Sequence, residues 1–237
     1  MDAFAYTSAT DTRRKLGLIA LQSDESIEDD MRRLLPPDVS FLVSRVPSGD
    51  AVTPQTLRAM EGHLTAAAAL FPRGLHFDAV GYGCTSGTAQ IGAGRIADRV
   101  MAGTQTARVT EPVSALVAAC RAAQVTRLAI LSPYVAAVSD RLRDVLRAEG
   151  IETPVFGSFD EPTEAKVVAI DGASIIAAAR ALAQGAKVDA ILLSCTNLRT
   201  LDIVTPLEAA LGMPVLSSNL VLAWHMLGGM GAPRDLL

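Results

Sequence analysis

The sequence predicts an α/β fold of two pseudo-symmetric lobes, each a central parallel sheet flanked by helices, with a ligand cleft between them. Three observations carry this. Short, continuously apolar runs alternate with longer amphipathic stretches, as parallel strands covered on both faces by helices require. Half of the 237 residues are hydrophobic but only 4% are aromatic, so alanine and the aliphatics supply the core, as in α/β rather than all-β proteins. The segment Asp189 to Asn197 (DAILLSCTN) repeats Asp78 to Ser86 (DAVGYGCTS) 111 residues on, and Leu128 to Pro133 follows Leu16 to Leu21 by 112. A repeat at this period makes each half one copy of a common lobe.

The elements follow in order. Residues 1–14 are polar and read as a flexible tail. Leu16 to Leu21 is a buried strand, and Glu25 to Leu35 a helix stopped by Pro36-Pro37. Val39 to Val46 is a strand. Thr53-Pro54 is an N-cap and first-turn pair opening a helix to Leu70. Phe77 to Tyr82 is a strand, Gly83 to Gly87 a turn, and Thr88 to Met101 a helix. In the second half the helices are Val113–Ala123, Val138–Ala148, Gly172–Gln184, Leu201–Leu211 and Leu220–Leu227. The strands are Arg127–Leu131, Thr153–Phe156, Val188–Leu193 and Met213–Leu216. The expected lobes are 15–112 with 217–237, and 113–216.

Composition excludes several function classes. The net charge is −4, with no basic run, which argues against nucleic acid as a partner. No apolar run approaches the roughly 20 residues that cross a bilayer, and the residues ahead of Arg13 lack the apolar core of a secretory signal. A cytoplasmic chain without membrane partners is expected. Three cysteines make a disulfide framework improbable. Three histidines without HxH or CxxC spacing give no metal site. Gly81-Tyr82-Gly83 and Gly92-Ala93-Gly94 form neither GxGxxG after the first strand nor a phosphate loop, so no nucleotide cofactor is expected.

The chemistry lies in the repeat. Cys84 and Cys195 each follow a strand and precede a helix, the carboxyl-edge position where open parallel sheets bind ligands. Across an interlobe cleft, one thiolate would take a proton from, or add to, one face of a substrate carbon while the other thiol protonates the opposite face. Thr85, Ser86, Thr196 and Asn197, with helix N-terminal N–H groups, would form a carboxylate nest that also lowers the thiol pKa. Cys120, within Leu116 to Ala123, reads as a core residue. His225 reads as a packed helix residue, His63 and His76 as surface, and Arg199 as solvent-facing. The same two-lobed layout would also suit a non-catalytic module that binds small solutes.

The stretches LGLIALQSDESIEDDM from Leu16, Val52-Thr53-Pro54, GYGCTSGTA from Gly81, Leu131 to Tyr134, LLSCTNLRTLD from Leu192 and GMPVLSSNLVLAW from Gly212 resemble the aspartate/glutamate racemase superfamily, in its maleate cis–trans isomerase and arylmalonate decarboxylase branch. The resemblance covers the chain from about Lys15. It implies two pseudo-symmetric lobes, a site between them, no cofactor and no metal. It puts Cys84 and Cys195 on the paired catalytic thiols, and Tyr134 on a tyrosine that hydrogen-bonds a substrate carboxylate. Thr85, Ser86, Thr196 and Asn197 fall on the carboxylate nest. Decarboxylases of the branch carry glycine at the first cysteine, so Cys84 points away from decarboxylation.

Two departures matter. Maleate isomerases carry asparagine where this chain has Asp24, which suits an amine or amidine nitrogen or merely caps a helix. Their later asparagine falls at Pro162, which would remove one contact to a dicarboxylate. SDESIEDD, SCTNLRTLD and LSSNLVLAWHM resemble the racemase-like group of ectoine utilisation. That resemblance implies a nitrogen-bearing carboxylate from ectoine or hydroxyectoine breakdown. The family's loop equivalent to Ser44–Thr53 closes over substrate. The expected activity is cofactor-independent racemisation or epimerisation by the cysteine pair. Maleate cis–trans isomerisation by covalent cysteine addition and arylmalonate-type decarboxylation are the enzymatic alternatives, and a homodimer is compatible with an enzyme of this size.

Overall fold

A computed structural model describes residues 3–237. Of the expected tail, residues 1 and 2 lie outside the described residues; 3–12 are exposed without regular structure, and the first strand already begins at Arg14.

The first lobe runs β1 (Arg14–Leu21), α1 (Ile27–Leu34), β2 (Val39–Val46), α2 (Pro54–Ala59), a 3₁₀ turn (Met60–His63), α3 (Leu64–Ala68), β3 (His76–Phe77), β4 (Ala79–Gly83), α4 (Thr85–Ile91), α5 (Ala93–Met101), β5 (Gln105–Thr106) and β6 (Val109–Thr110). The second runs α6 (Pro112–Ala122), β7 (Arg127–Ser132), α7 (Ala136–Ala148), β8 (Glu152–Ser158), α8 (Glu164–Val167), α9 (Gly172–Ala183), β9 (Ala190–Leu193), α10 (Leu201–Leu211) and β10 (Val215–Ser217). The chain then enters α11 (Ser218–Met226) and ends in a 3₁₀ turn, Pro233–Leu236.

The two main sheets are wholly parallel and copy each other, in the orders β2-β1-β4-β6 and β8-β7-β9-β10. The repeat reaches single hydrogen bonds. Asp78 accepts from the N–H of Lys15 at 2.8 Å, and Asp189 accepts from Thr126 and Arg127, each at 2.9 Å. Each aspartate thereby pins the start of its lobe's first strand. Beyond their first residues the central strands are buried, Leu16, Leu18, Leu128, Ile130 and Ile191 among them. This explains why their sequences are continuously apolar rather than alternating.

The last helix packs against both halves. Met226 lies over β4, where a Cβ at Gly81 would meet its sulfur at 2.7 Å. Arg14 and Arg108 donate to the carbonyls of Met226 and Leu227 at its end. Helices α6 and α11 pack on each other through Val117, Ala119, Val221 and Trp224.

Several expected elements differ. The helix expected from Thr53 to Leu70 is broken at Met60–His63 around Gly62, a weak helix former. The strand Phe77–Tyr82 is interrupted at Asp78, whose side chain holds Lys15 instead. The expected turn at 83–87 is shorter than predicted: α4 starts immediately after Cys84, and the helix divides at Gly92, where φ is +96°. No helix among the described residues is long and apolar enough to cross a membrane.

Candidate active site

The loops after β1, β4, β7 and β9, with the first turns of α8 and α11, meet in one buried cluster between the two sheets. Cys84 follows β4 in extended conformation and caps α4, its Sγ accepting the Gly87 N–H at 3.1 Å. Gly87 cannot carry a side chain there, since a Cβ would lie 2.8 Å from that sulfur and 2.6 Å from the Tyr82 hydroxyl.

Cys195 sits two residues beyond β9 with φ of +147°, backbone that non-glycine residues rarely adopt and that is retained where surroundings enforce it. The enforcing contact is visible: its N–H donates to Ser218 Oγ at 3.1 Å, and the same oxygen accepts from Thr85 Oγ1 at 2.8 Å. Ser218 thus ties the loop bearing one cysteine to the helix capped by the other. Asn197 N–H donates to Cys195 Sγ at 3.3 Å, and Tyr134 Oη lies 2.9 Å from the same sulfur.

The remaining expected residues are present but busy. Thr196 Oγ1 donates to the Gly83 carbonyl at 3.2 Å, and its own carbonyl accepts from Ser26 and Asn219. Asn197 Oδ1 accepts from Glu25 N–H at 2.8 Å, bracing the β1 loop. The side chains of Thr85, Thr196 and Asn197 therefore clamp the lobes together. Ser86 is buried at the second position of α4.

Asp24 does two things. Its Oδ1 accepts from Ser26 and Ile27 N–H at 2.9 and 2.8 Å, the expected cap of α1. Its Oδ2 is buried without a hydrogen-bond partner. Burial raises the carboxyl above its ordinary range, against the lowering effect of those two N–H groups.

Glu164 is the residue that sequence reasoning missed. Pro162 contributes only its carbonyl, which accepts the Val52 N–H at 2.9 Å, but two residues on, a carboxyl enters the cluster. Glu164 Oε1 accepts from Tyr134 Oη at 2.8 Å and Oε2 from Asn197 Nδ2 at 3.0 Å. Its side chain is buried, and burial raises its pKa. A buried carboxyl thus stands two residues beyond Pro162, where an asparagine contact was expected to be missing.

The expected lowering of the thiol pKa does not occur. Burial pushes Cys84 up to about 12, outweighing the Gly87 N–H. Cys195 also rises, through burial and then the neighbouring Glu164 carboxylate. Cys84 and Cys195 are 4% and 2% exposed, so one helix turn of N–H groups cannot offset the lost hydration of an anion.

Two segments seal the site. The loop 47–53 crosses to the other lobe, where Val52 N–H donates to Pro162 and Glu164 N–H donates to Asp50. Ala51 and Thr163, 112 residues apart like the opening strands, pair as an antiparallel bridge. The expected loop starts three residues later than predicted, because Ser44 to Val46 belong to β2. Cys120 is fully buried in the core, Arg199, His63 and His76 are exposed, and His225 meets Thr110 at 2.6 Å rather than either thiol. No group of three or more His, Cys, Asp or Glu among the described residues could hold a metal ion.

The chain is similar over nearly its whole length to maleate isomerases. It is 26% identical over 232 residues to that of Nocardia farcinica, covering 93% of this chain and 91% of that one. The solved maleate isomerase of Pseudomonas putida S16 superposes with a TM-score of 0.81 at 25% identity, covering 94% of each chain. A serine-for-cysteine variant of the N. farcinica enzyme, solved with a covalently bound succinylcysteine intermediate, superposes at 0.78 with 25% identity over 90% of this chain and 91% of that one. The arylmalonate decarboxylase of Bordetella bronchiseptica is 33% identical over 115 residues, 47% of this chain and 48% of that one. These likenesses bear out the two-lobed fold and the maleate isomerase branch of the racemase superfamily. The family model for arylmalonate decarboxylase matches residues 93–235, a span that includes Tyr134, Glu164, Cys195 and Ser218, and the chain belongs to that family.

Proposed function

We propose that the protein is a cofactor-independent isomerase in which Cys84 and Cys195 act from the two lobes on one small carboxylate. The carrying observation is that the duplicated sheets bring both cysteine loops to one buried site, joined through Ser218. In racemisation, one thiolate removes the proton next to the carboxylate and the other thiol returns one to the opposite face, the roles reversing for the other enantiomer. The N–H groups opening α4 stabilise the negative charge that develops on the carboxylate. A thiolate whose pKa is raised by burial is also the stronger base.

The substrate we favour bears a nitrogen as well as a carboxylate. The cluster holds two buried carboxyls, Asp24 and Glu164, and Asp24 Oδ2 lacks a partner. A cationic nitrogen would satisfy them, whereas a dicarboxylate requires them to keep their protons. Acids derived from ectoine and hydroxyectoine belong to this class.

The second reading is maleate cis–trans isomerisation, favoured by the likeness to maleate isomerases over more than nine-tenths of the chain. There a thiolate adds to the double bond, the new single bond rotates, and elimination releases the trans acid and restores the thiolate. Incubation in D₂O with maleate, aspartate, glutamate, 3-hydroxyaspartate, ectoine, hydroxyectoine and an arylmalonate separates the readings. Deuterium entering a nitrogen-bearing substrate with inversion, lost in Cys84→Ser and Cys195→Ser, supports racemisation. Fumarate from maleate, with an adduct mass on either cysteine, supports the second reading, and decarboxylation of the arylmalonate overturns both.

A further inference from the structure

Glu164, Tyr134 and Cys195 form a buried line of contacts whose hydrogen count is restrictive. Tyr134 Oη lies 2.8 Å from Glu164 Oε1 and 2.9 Å from Cys195 Sγ. A phenol has one hydrogen. When that hydrogen lies on the Glu164 side, Tyr134 can meet the sulfur only as an acceptor, and the thiol hydrogen must point at the phenol oxygen. The far side of the carboxyl is fixed by Asn197 Nδ2 at 3.0 Å, and Asn197 N–H donates to the sulfur at 3.3 Å, so one residue braces both ends.

We propose that these three residues form a proton relay that activates Cys195, with Glu164 as a positioning residue acting on the sulfur only through Tyr134. The S–H bond breaks as a new O–H bond forms on Tyr134. The original Tyr134 O–H bond breaks as an O–H bond forms on Glu164 Oε1. One proton leaves sulfur, one arrives on the carboxylate, and one negative charge moves the other way. No proton is exchanged with solvent, and the net charge of the group is unchanged.

The relay answers an electrostatic difficulty. Losing the Cys195 proton to water would set a second anion beside a buried carboxylate, and like charges in a poorly hydrated site repel strongly. Passing the proton to Glu164 removes the first anion as the second forms. Burial raises Glu164 and makes it a readier proton acceptor. The other titratable groups acting on these residues are Asp24 from the loop after β1 and Cys84 just after β4. Neither supplies positive charge.

The proposal rests on reading Cys195 as a working thiol, and its test reads that thiol directly. Iodoacetamide alkylation of Cys195 is followed by peptide mass spectrometry as a function of pH in the full-length wild type, Glu164→Gln and Tyr134→Phe. Cys120 serves as the internal control. In the wild type, the relay gives a rate that climbs with ionisation of the carboxyl, holds level through neutral pH, and climbs again when a second proton is lost. In Glu164→Gln the level region disappears, and the neutral rate falls about tenfold or more, since only solvent can then take the thiol proton. Tyr134→Phe, which keeps the carboxylate but breaks the path, loses the level region too, and carries the test should Glu164→Gln not fold.

A purely repulsive carboxylate predicts the opposite: without its charge the thiol ionises more easily, and Glu164→Gln reacts faster at neutral pH. That result overturns the relay. So does a level region that survives Tyr134→Phe, or a wild-type Cys195 that is inert at neutral pH. A level region with no turnover on any substrate sinks the proposed function and leaves the relay standing. Turnover with a pH profile indifferent to Glu164→Gln does the reverse.

Discussion

Replacing Ser218 by alanine tests how the two halves of the site are joined. The Ser218 oxygen accepts two hydrogen bonds, from the Cys195 N–H at 3.1 Å and from Thr85 Oγ1 at 2.8 Å, and Ser218 is 1% exposed. A main-chain N–H cannot turn away, so leaving that of Cys195 unpaired costs about 1–3 kcal/mol. The Thr85 hydroxyl can rotate, and its lost bond adds about 0.5–1.5 kcal/mol. Together these give a loss of about 1.5–4.5 kcal/mol. With a urea dependence of about 3 kcal/mol per molar for a chain of this length, the unfolding midpoint falls by about 1 M at unchanged slope. Cys195 at φ +147° stores about 1–3 kcal/mol of strain, and without its anchor the residue relaxes and turnover collapses further than stability. Thr85→Val removes one donor and costs less. Added to Ser218→Ala it costs less than the sum, because no hydroxyl is then left unpaired. The assay is urea unfolding by fluorescence and circular dichroism on the two single variants and the double. A Ser218→Ala midpoint matching the wild type, or strictly additive losses, would refute the claim that this one oxygen holds the strained loop.

Three further outcomes are expected. Gly87→Ala pushes a methyl into the Cys84 sulfur and the Tyr82 hydroxyl, destabilises by about 1–3 kcal/mol and abolishes turnover, measured by thermal melting and by the D₂O assay. Asp30, buried beside Asn219, has its pKa raised by burial to about 6 from 3.8. The folded state therefore holds a proton that the unfolded chain has already released. Stability falls as pH rises from about 4 to 6, by about 3 kcal/mol at most; Asp30→Asn flattens that fall and raises the urea midpoint at pH 7. Val52→Pro deletes the N–H that latches loop 47–53 to Pro162. It speeds tryptic cleavage at Arg45 and Arg58 several-fold and raises KM more than it lowers kcat.

What could be read from the sequence was what local pattern and repetition encode. Strand β2 and helix α10 have their predicted bounds, because a run of apolar residues ended by polar ones and a helix closed by a left-handed Gly212 are local signals. The cysteine pair followed from the 111-residue repeat, since duplication carries geometry as well as sequence. Glu164 was invisible for the converse reason. In Glu161-Pro162-Thr163-Glu164 it looks like a solvated helix start, and only tertiary contacts, to Tyr134, Asn197 and the loop 47–53, bury it. The thiol pKa values were misjudged similarly. The helix N–H donors were legible, but the depth of burial that outweighs them is a property of both lobes together. Strands β5 and β6, two residues each, are too short to leave a pattern.

The scaffold is duplicated but the chemistry around the thiols is not. Position 51 meets its own equivalent, position 163, across the centre of the molecule. One residue further along each strand of that bridge, the first lobe has the buried aliphatic Val52 and the second has the acid Glu164. The loop after β1 brings a carboxyl, Asp24, whereas the loop after β7 brings a phenol, Tyr134. Glu164 and Asp24 act electrostatically on both thiols, and what sets the cysteines apart is the bridge through Tyr134 from Cys195 to Glu164. That bridge makes the thiols unequal partners. Cys195 reaches a carboxyl through two hydrogen bonds, while Cys84 has the Gly87 N–H and the Tyr82 hydroxyl, which meets the Met60 sulfur rather than a carboxyl. A racemase built this way can have different kcat values in its two directions only with KM values that differ in the same proportion, because enantiomers have an equilibrium constant of one.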